Sequence, residues 1–251
     1  MLTLAFDTST LQGRFALAED GEILVYQPFN VGGSYADALL KVVDGMLADS
    51  GRKKSELKRI AITVGPGSFT GVRIGVSTAK AMAWATGAEL YAVSSLEAMA
   101  ADMLATHQHR DWAMPVLDAR RKEVFAGIFK RNGTWVTVVC EQKASGYDNW
   151  WKLFLETVDN PLDPVIAGNG ALLLTGEGEN LRPELLTGKP ELHNWNSAQP
   201  ATARALAIAV SMKKPPFEPV HPFTLVPLYL RASDAEVKKG LDLTPKAPEQ
   251  S

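Results

Sequence analysis

Four short segments carry residue types from which a phosphate or metal site can be built. The first is Gly65-Pro66-Gly67-Ser68-Phe69-Thr70-Gly71-Val72-Arg73-Ile74-Gly75, which follows an apolar run and opens a helical pattern. In that context the backbone N–H groups at a helix N-terminus can cradle an anion. The same glycines equally suit a tight strand-to-helix turn with close packing. No Gly-Lys-Ser/Thr follows at Walker spacing, so this is not a P-loop. The second segment, Asp7-Thr8-Ser9-Thr10, joins a carboxylate to hydroxyls at the end of the first apolar run. Such a set can hold hydrated magnesium and phosphate, or the aspartate can simply cap a turn. Asp7, Thr8, Ser9, Gly67 and Ser68 are therefore the candidate nucleotide-binding residues. Asp118-Ala119-Arg120-Arg121-Lys122-Glu123 places three cations in a row, either as phosphate contacts or as a solvated charged turn. In Tyr229-Leu230-Arg231, the arginine has a carboxylate of either half of the chain as its natural partner.

Other chemistry lacks its residues. The four histidines, His107, His109, His193 and His221, form no His-x-x-x-His or His-Glu-x-x-His pair, so no metal site is expected. There is no Gly-x-Ser-x-Gly nucleophile elbow. The single cysteine, Cys140, sits in a strand-like segment, cannot form an intrachain disulfide and reads as a core residue. No catalytic residue is assigned, and no cofactor is required by the chain itself.

The helix after the glycine loop carries a second signal. Gly71, Gly75, Ala79 and Ala83 recur every four residues and so form one nearly smooth stripe. Each glycine within a helix costs up to about 1 kcal/mol relative to alanine, so the stripe needs a reason. A smooth face admits another backbone closely, whether the chain's own sheet, its own first helix or another subunit. The working expectation is a partner interface made by this stripe with Leu39 and Val43 of the preceding helix.

The elements that must position these segments follow from periodicity and turn residues. Apolar runs at 2–6, 15–18 and 23–26, with Asp20-Gly21 between the last two, predict an antiparallel meander. Leu39, Leu40, Val43, Met46 and Leu47 mark a helix from Ser34 with Gly51 after its end. A strand at 59–64, a helix at 70–86 stopped by Gly87 and a strand at 89–93 follow. Ser94 and Glu97 have capping-box spacing for another helix. The pattern lapses at His107-Gln108-His109-Arg110, where the domain junction is placed. Beyond it come strands at 113–117, 124–129 and 135–140, with Asn132-Gly133 as a turn, then a helix at 147–158 and a strand at 165–167. The β-β-β-α-β-α order thus occurs twice. The expected division is a lobe at 1–106, a smaller lobe at 107–200, a helix at 201–212 packing back on the first lobe, and a proline-rich segment with tail at 213–251.

A chain of 251 residues with 46% hydrophobic and 22% charged residues can build such a core unaided. A net charge of −2 gives no global attraction to nucleic acid or anionic membranes. The N-terminal run has no basic start and no apolar stretch approaches about 20 residues, so a cytoplasmic, non-membrane protein is expected.

Taken in order, Asp7-Thr8-Ser9, the eleven-residue glycine loop, Ser94-Ser95-Leu96-Glu97-Ala98, the Asp118–Phe125 segment and Tyr229-Leu230-Arg231 resemble the landmarks of the TsaB (YeaZ) family. The resemblance implies an α/β, two-lobed actin/Hsp70-like fold of the ribonuclease H-like (ASKHA) class. It implies a non-catalytic subunit that acts with TsaD and TsaE to form N6-threonylcarbamoyladenosine at position 37 of ANN-decoding tRNAs. It also implies pairing through the first two helices, with TsaD or as a homodimer, tRNA met through the complex, and ATP or ADP at the complex with TsaD. The family's His-Ser pair at the start of the first helix is absent, since Val31-Gly32-Gly33-Ser34-Tyr35 stands there. The rival reading is an ATP-dependent kinase of the same fold, which needs nucleotide between the lobes and a catalytic aspartate. A peptidase reading lacks its metal pair and nucleophile.

Overall fold

The computed structural model describes residues 1–10, 12–30, 35–157, 164–171, 191–193 and 202–231. The stretch Val31–Ser34, where the family's histidine is missing, and the tail beyond Arg231 lie outside them.

The first half contains β1 (Leu2–Asp7), β2 (Gln12–Glu19), β3 (Glu22–Asn30), α1 (Tyr35–Asp49), β4 (Arg59–Thr63), α2 (Phe69–Thr86), β5 (Glu89–Val93) and α3 (Ser95–Thr106). The second contains β6 (Trp112–Arg120), β7 (Glu123–Asn132), β8 (Trp135–Gly146), α4 (Tyr147–Thr157), β9 (Pro164–Ala167) and β10 (Glu191–His193), followed by α5 (Thr202–Ser211). The strands form two five-stranded sheets ordered β3-β2-β1-β4-β5 and β8-β7-β6-β9-β10. Each has an antiparallel meander extended by parallel strands, so the duplicated unit is present in pairing as well as in order.

Alternation along β1, β2 and β4 decides which helix covers which face. Leu4, Phe6, Phe15, Leu17, Ile60 and Ile62 point to one side, where they pack with α1 and α2. Ala5, Ala16, Ala18 and Ala61 point to the other, where small side chains let a helix sit close to the sheet. That helix is α5, itself rich in alanine, which packs on β1, β2 and β4. On the second sheet, Met114, Val116, Val124, Ala126 and Ile128 pack with Trp150 and Phe154 of α4. Its other face receives α3, and α3 and α5 pack together between the sheets.

Two arginines close the ends of these central helices. Arg59 Nη1 donates to Val210 O in the last turn of α5 and to Met212 O just beyond it, both at 2.7 Å. Arg131 donates to Leu104 O at 2.8 Å and His107 O at 3.0 Å, at the end of α3. The carbonyls that a helix C-terminus leaves unpaired are thereby satisfied.

Two local expectations change. Ser94 Oγ accepts from Leu96 N and Glu97 N as an N-cap, but Glu97 does not close the box. Its Oε1 instead accepts from Trp135 Nε1 at 2.7 Å. Cys140 is half-buried at the margin of the α4 cluster rather than inside a core, because the β8 strand runs to the sheet edge there. Burial still pushes its thiol above the usual value.

Candidate functional site

The segments singled out in the sequence converge at the start of α2. Asp7 is buried, with both carboxylate oxygens engaged: Oδ1 accepts from Ser9 N at 2.8 Å and Thr63 Oγ1 at 2.6 Å, and Oδ2 accepts from Thr202 Oγ1 at 2.7 Å. Thr8 Oγ1 donates to Gly71 O at 2.9 Å. Ser68 N donates to Ser9 O at 2.6 Å, while Ser68 Oγ accepts from Gly71 N at 3.3 Å as the α2 N-cap. A methyl group on Gly67, which has φ +154°, would lie 2.3 Å from Ser9 O. Glycine is required there so that the loop can lie on the end of β1.

All five candidate nucleotide residues therefore come together, and the hydrogen bonds they make go to the chain itself. The gap a phosphate tail would need between the loop and the end of β1 is filled by the Ser9 carbonyl, so the residues present do not fit a phosphate at that point. Ser9 Oγ is buried and has no hydrogen-bond partner among the described residues.

The six proposed interface residues also turn inward. Leu39, Val43, Gly71, Gly75, Ala79 and Ala83 are all buried in the chain's own core. A methyl on Gly71 would stand 2.1 Å from Thr8 O, and one on Gly75 2.1 Å from Thr8 Oγ1. The close neighbour that the two glycines of the stripe admit is Thr8, just past the chain's own β1. The face left exposed on α2 is the opposite one: Arg73, Ser77, Ala81, Trp84 and Ala85. On α1 it is Leu40, Lys41, Asp44, Gly45 and Ala48. These positions also recur at helical spacing, and their small residues were legible in the sequence as a second stripe.

The Tyr229 segment belongs to a strap that crosses this region. Val220 N donates to Leu90 O and Leu228 N to Val64 O, both at 2.7 Å, and Lys80 Nζ donates to Leu225 O at 2.9 Å. Arg73 lies 3.9 Å over the Phe69 ring and donates through Nε to Tyr229 Oη at 2.8 Å. Along the same strap Phe223 meets Trp84 with ring centroids 5.1 Å apart, and these two rings are 67% and 70% exposed. Beyond Tyr229, Arg231 Nη1 pairs with Glu123 Oε2 at 3.2 Å, which ties the strap to the second sheet.

Links from α3 to the second sheet run through the Ser94–Glu97 landmark. Ser94 Oγ donates to Gln142 Oε1, and Glu97 meets Trp135 as above. Burial holds the Glu97 carboxyl above the usual range, with the Trp135 bond pulling in the opposite direction. Among the described residues no group of three or more His, Cys, Asp or Glu side chains is placed to hold a metal ion.

These landmarks are joints within the chain's own fold. The family model described as TsaD, tRNA N6-adenosine threonylcarbamoyltransferase, matches residues 27–153. The tRNA threonylcarbamoyladenosine biosynthesis protein TsaB of Bacillus subtilis (strain 168) is 30% identical over 241 residues, which span 95% of this chain and 97% of that protein. The chain belongs to the TsaB family. A Pseudomonas aeruginosa crystal structure, described as an uncharacterized protein with similarity to peptidase YeaZ, superposes with a TM-score of 0.69 at 26% identity, covering 92% of this chain and 99% of that one. The ROK hexokinase of Thermus thermophilus superposes with a TM-score of 0.50 at 13% identity, covering 84% and 98%. That likeness places this TsaB-family chain in the actin-like two-lobed fold and says nothing of its chemistry.

Proposed function

We propose that the chain is a non-catalytic subunit that acts with a TsaD-type transferase and with TsaE to form N6-threonylcarbamoyladenosine at position 37 of ANN-decoding tRNAs in the cytoplasm. The observation that carries this reading is the closure of the Asp7 cluster. A carboxylate whose two oxygens both accept from its own chain is committed to holding the ends of β1, β4 and α5 together. The kinase alternative requires an aspartate given over to a metal or a nucleophile. Any ATP or ADP in the assembly then belongs to the junction with the partner.

The docking face in this reading is the exposed side of α1 and α2. Gly45, Ala48, Ser77, Ala81 and Ala85 offer low relief for a closely packed helix, while Leu40 and Trp84 offer apolar anchors. The match of the TsaD family model to residues 27–153 supports a partner built on the same frame, which would bring an equivalent helix pair to the contact. In isolation a second copy of the chain would take its place.

Reconstitution with TsaD, TsaE, ATP, the threonylcarbamoyl-forming enzyme and tRNA tests the function. Leaving out this chain should abolish or strongly reduce modification; undiminished modification would remove the reading. Ala81→Arg should leave thermal unfolding unchanged and weaken the complex at least tenfold in calorimetry. Unchanged affinity would remove the docking face.

A further inference from the structure

Arg73 stands exposed on the outer face of α2, yet its guanidinium is held in place. Its Cζ lies 3.9 Å from the Phe69 ring centroid and 5.7 Å from that of Tyr229, and these two rings pack with centroids 4.8 Å apart. Nε donates to Tyr229 Oη at 2.8 Å. Tyr229 is fixed in turn by the strap, since Leu228 N donates to Val64 O. A methyl on Gly65 would stand 2.7 Å from Leu228 O, so the strap lies directly on the loop before α2.

An arginine fork has two edges that can meet both oxygens of a carboxylate, one that includes Nε and one made by the two terminal nitrogens. Tyr229 takes the Nε edge. The other edge, Nη1 and Nη2, has no partner among the described residues. The rotamer freedom that an exposed arginine ordinarily loses on binding is already given up here.

The surroundings of this edge are those of a protein contact. Arg73 and Trp84 are three helical turns apart, about 16 Å along α2. Each leans on an aromatic ring of the strap, Tyr229 for Arg73 and Phe223 for Trp84. Ser77 and Ala81 between them are small and exposed. Arginine and tryptophan are the side chains that most often carry the binding energy of an interface. Among the described outer side chains of α1 and α2, Lys41 and Arg73 stand against Asp49, since Asp44 is held by Lys54 at 2.6 Å. A second copy would meet this face with an excess of the same charge, whereas an acidic surface complements it.

We propose that Arg73 is the ionic anchor of the docking face: its free edge receives an aspartate or glutamate side chain of the TsaD-type partner, and the strap that orients it belongs to the contact through Phe223 and Tyr229. The proposal rests on the functional reading above for the identity of the partner.

The experiment is calorimetric titration of the full chain with its TsaD partner at about 0.1 and about 0.5 M salt. Arg73→Met keeps the stem over Phe69 and removes the fork. It should bind about tenfold more weakly at the lower salt and lose most of the parent's salt dependence. Arg73→Lys restores the charge without the fork and should recover less than half of that loss on a logarithmic scale. Unchanged affinity for Arg73→Met, or full recovery by Arg73→Lys, would overturn the proposal. If Arg73→Met melts well below the parent, Tyr229→Phe decides: it keeps the ring, frees the guanidinium and should weaken the complex about threefold, and no change would count against the anchor. Ala81→Arg, titrated alongside, keeps the two readings apart. A complex broken by Ala81→Arg but indifferent to Arg73→Met retains the docking face and removes the anchor, while the reverse upholds the carboxylate contact and removes the middle of the face. Loss of self-association, or of tRNA binding by the assembled complex, with subunit affinity unchanged would assign Arg73 another ligand and also overturn the proposal.

Discussion

Asp7 and Asp118 stand at the same point of the two sheets, and each Oδ1 accepts from the amide two residues on: Ser9 N at 2.8 Å and Arg120 N at 2.7 Å. The first aspartate continues inward to Thr63 and Thr202, while the second faces a solvent-exposed cationic turn. The same local turn is a buried knot beside one sheet and a surface tip beside the other.

Replacing the buried carboxylate should show how much the knot holds. Asp7→Asn puts an amide donor among groups that already donate, and should cost about 2–3 kcal/mol in urea unfolding, seen as a lower midpoint at unchanged slope. Ser9→Ala, two residues away, removes a hydroxyl that has no partner among the described residues and should change stability by less than about 0.5 kcal/mol. Equal losses for the two would show that the knot is not built on Asp7.

Glycines on the two outer helices should respond in opposite directions. Gly75→Ala meets Thr8 Oγ1 at 2.1 Å, and the overpacking, about 1–3 kcal/mol, should exceed the helix-propensity gain of about 1 kcal/mol. At Gly45 a methyl has nothing within 4 Å, so Gly45→Ala should gain about 0.5–1 kcal/mol. Both are read from denaturant midpoints of the isolated chain.

Arg59 is the next test, because its guanidinium serves a helix 151 residues away in sequence. Arg59→Met keeps the buried stem but leaves the carbonyls of Val210 and Met212 unpaired. It should cost about 2–4 kcal/mol, with hydrogen exchange in α5 rising first. Protection of α5 that matches the parent would contradict the capping role.

Glu97 sets an expected pH dependence. Its carboxyl is raised by burial in the folded chain, so the folded state binds the proton more tightly than the unfolded one. The stability this contributes is complete below the ordinary glutamate range, near pH 4.5, and is lost as pH rises through the folded value. Glu97→Gln keeps an acceptor for Trp135 Nε1 and removes the titration. Its melting temperature should exceed the parent's at pH 7, with the gap narrowing toward pH 4.5. A gap independent of pH would show that the carboxyl does not titrate with folding.

Much of the frame was legible because its signals are local. Asp20-Gly21 marks a hairpin, Gly87 closes α2 with φ +69°, and apolar alternation locates β1, β2 and β4, so the doubled element order could be read residue by residue. The site was legible in its parts but not in its use. Periodicity shows that Gly71, Gly75, Ala79 and Ala83 share a face, yet it is silent on what lies opposite: Thr8 for the two glycines and the apolar core for the two alanines. The hydroxyl that completes Asp7 comes from Thr202, 195 residues downstream, and no local pattern points to it. Glu97 has capping-box spacing, but a buried indole N–H across the sheets outbid its own helix terminus.

The exchange of helices between the sheets has a consequence for how the molecule comes apart. The helix that follows the first sheet's last parallel strand covers the second sheet, and the helix that follows the second sheet covers the alanine face of the first. A cut at the His107–Arg110 junction would not release two self-sufficient pieces, since each would leave its sheet bare on one side. The two similar halves are therefore not modular: each depends on the other for a helix that covers its sheet, so they should unfold together.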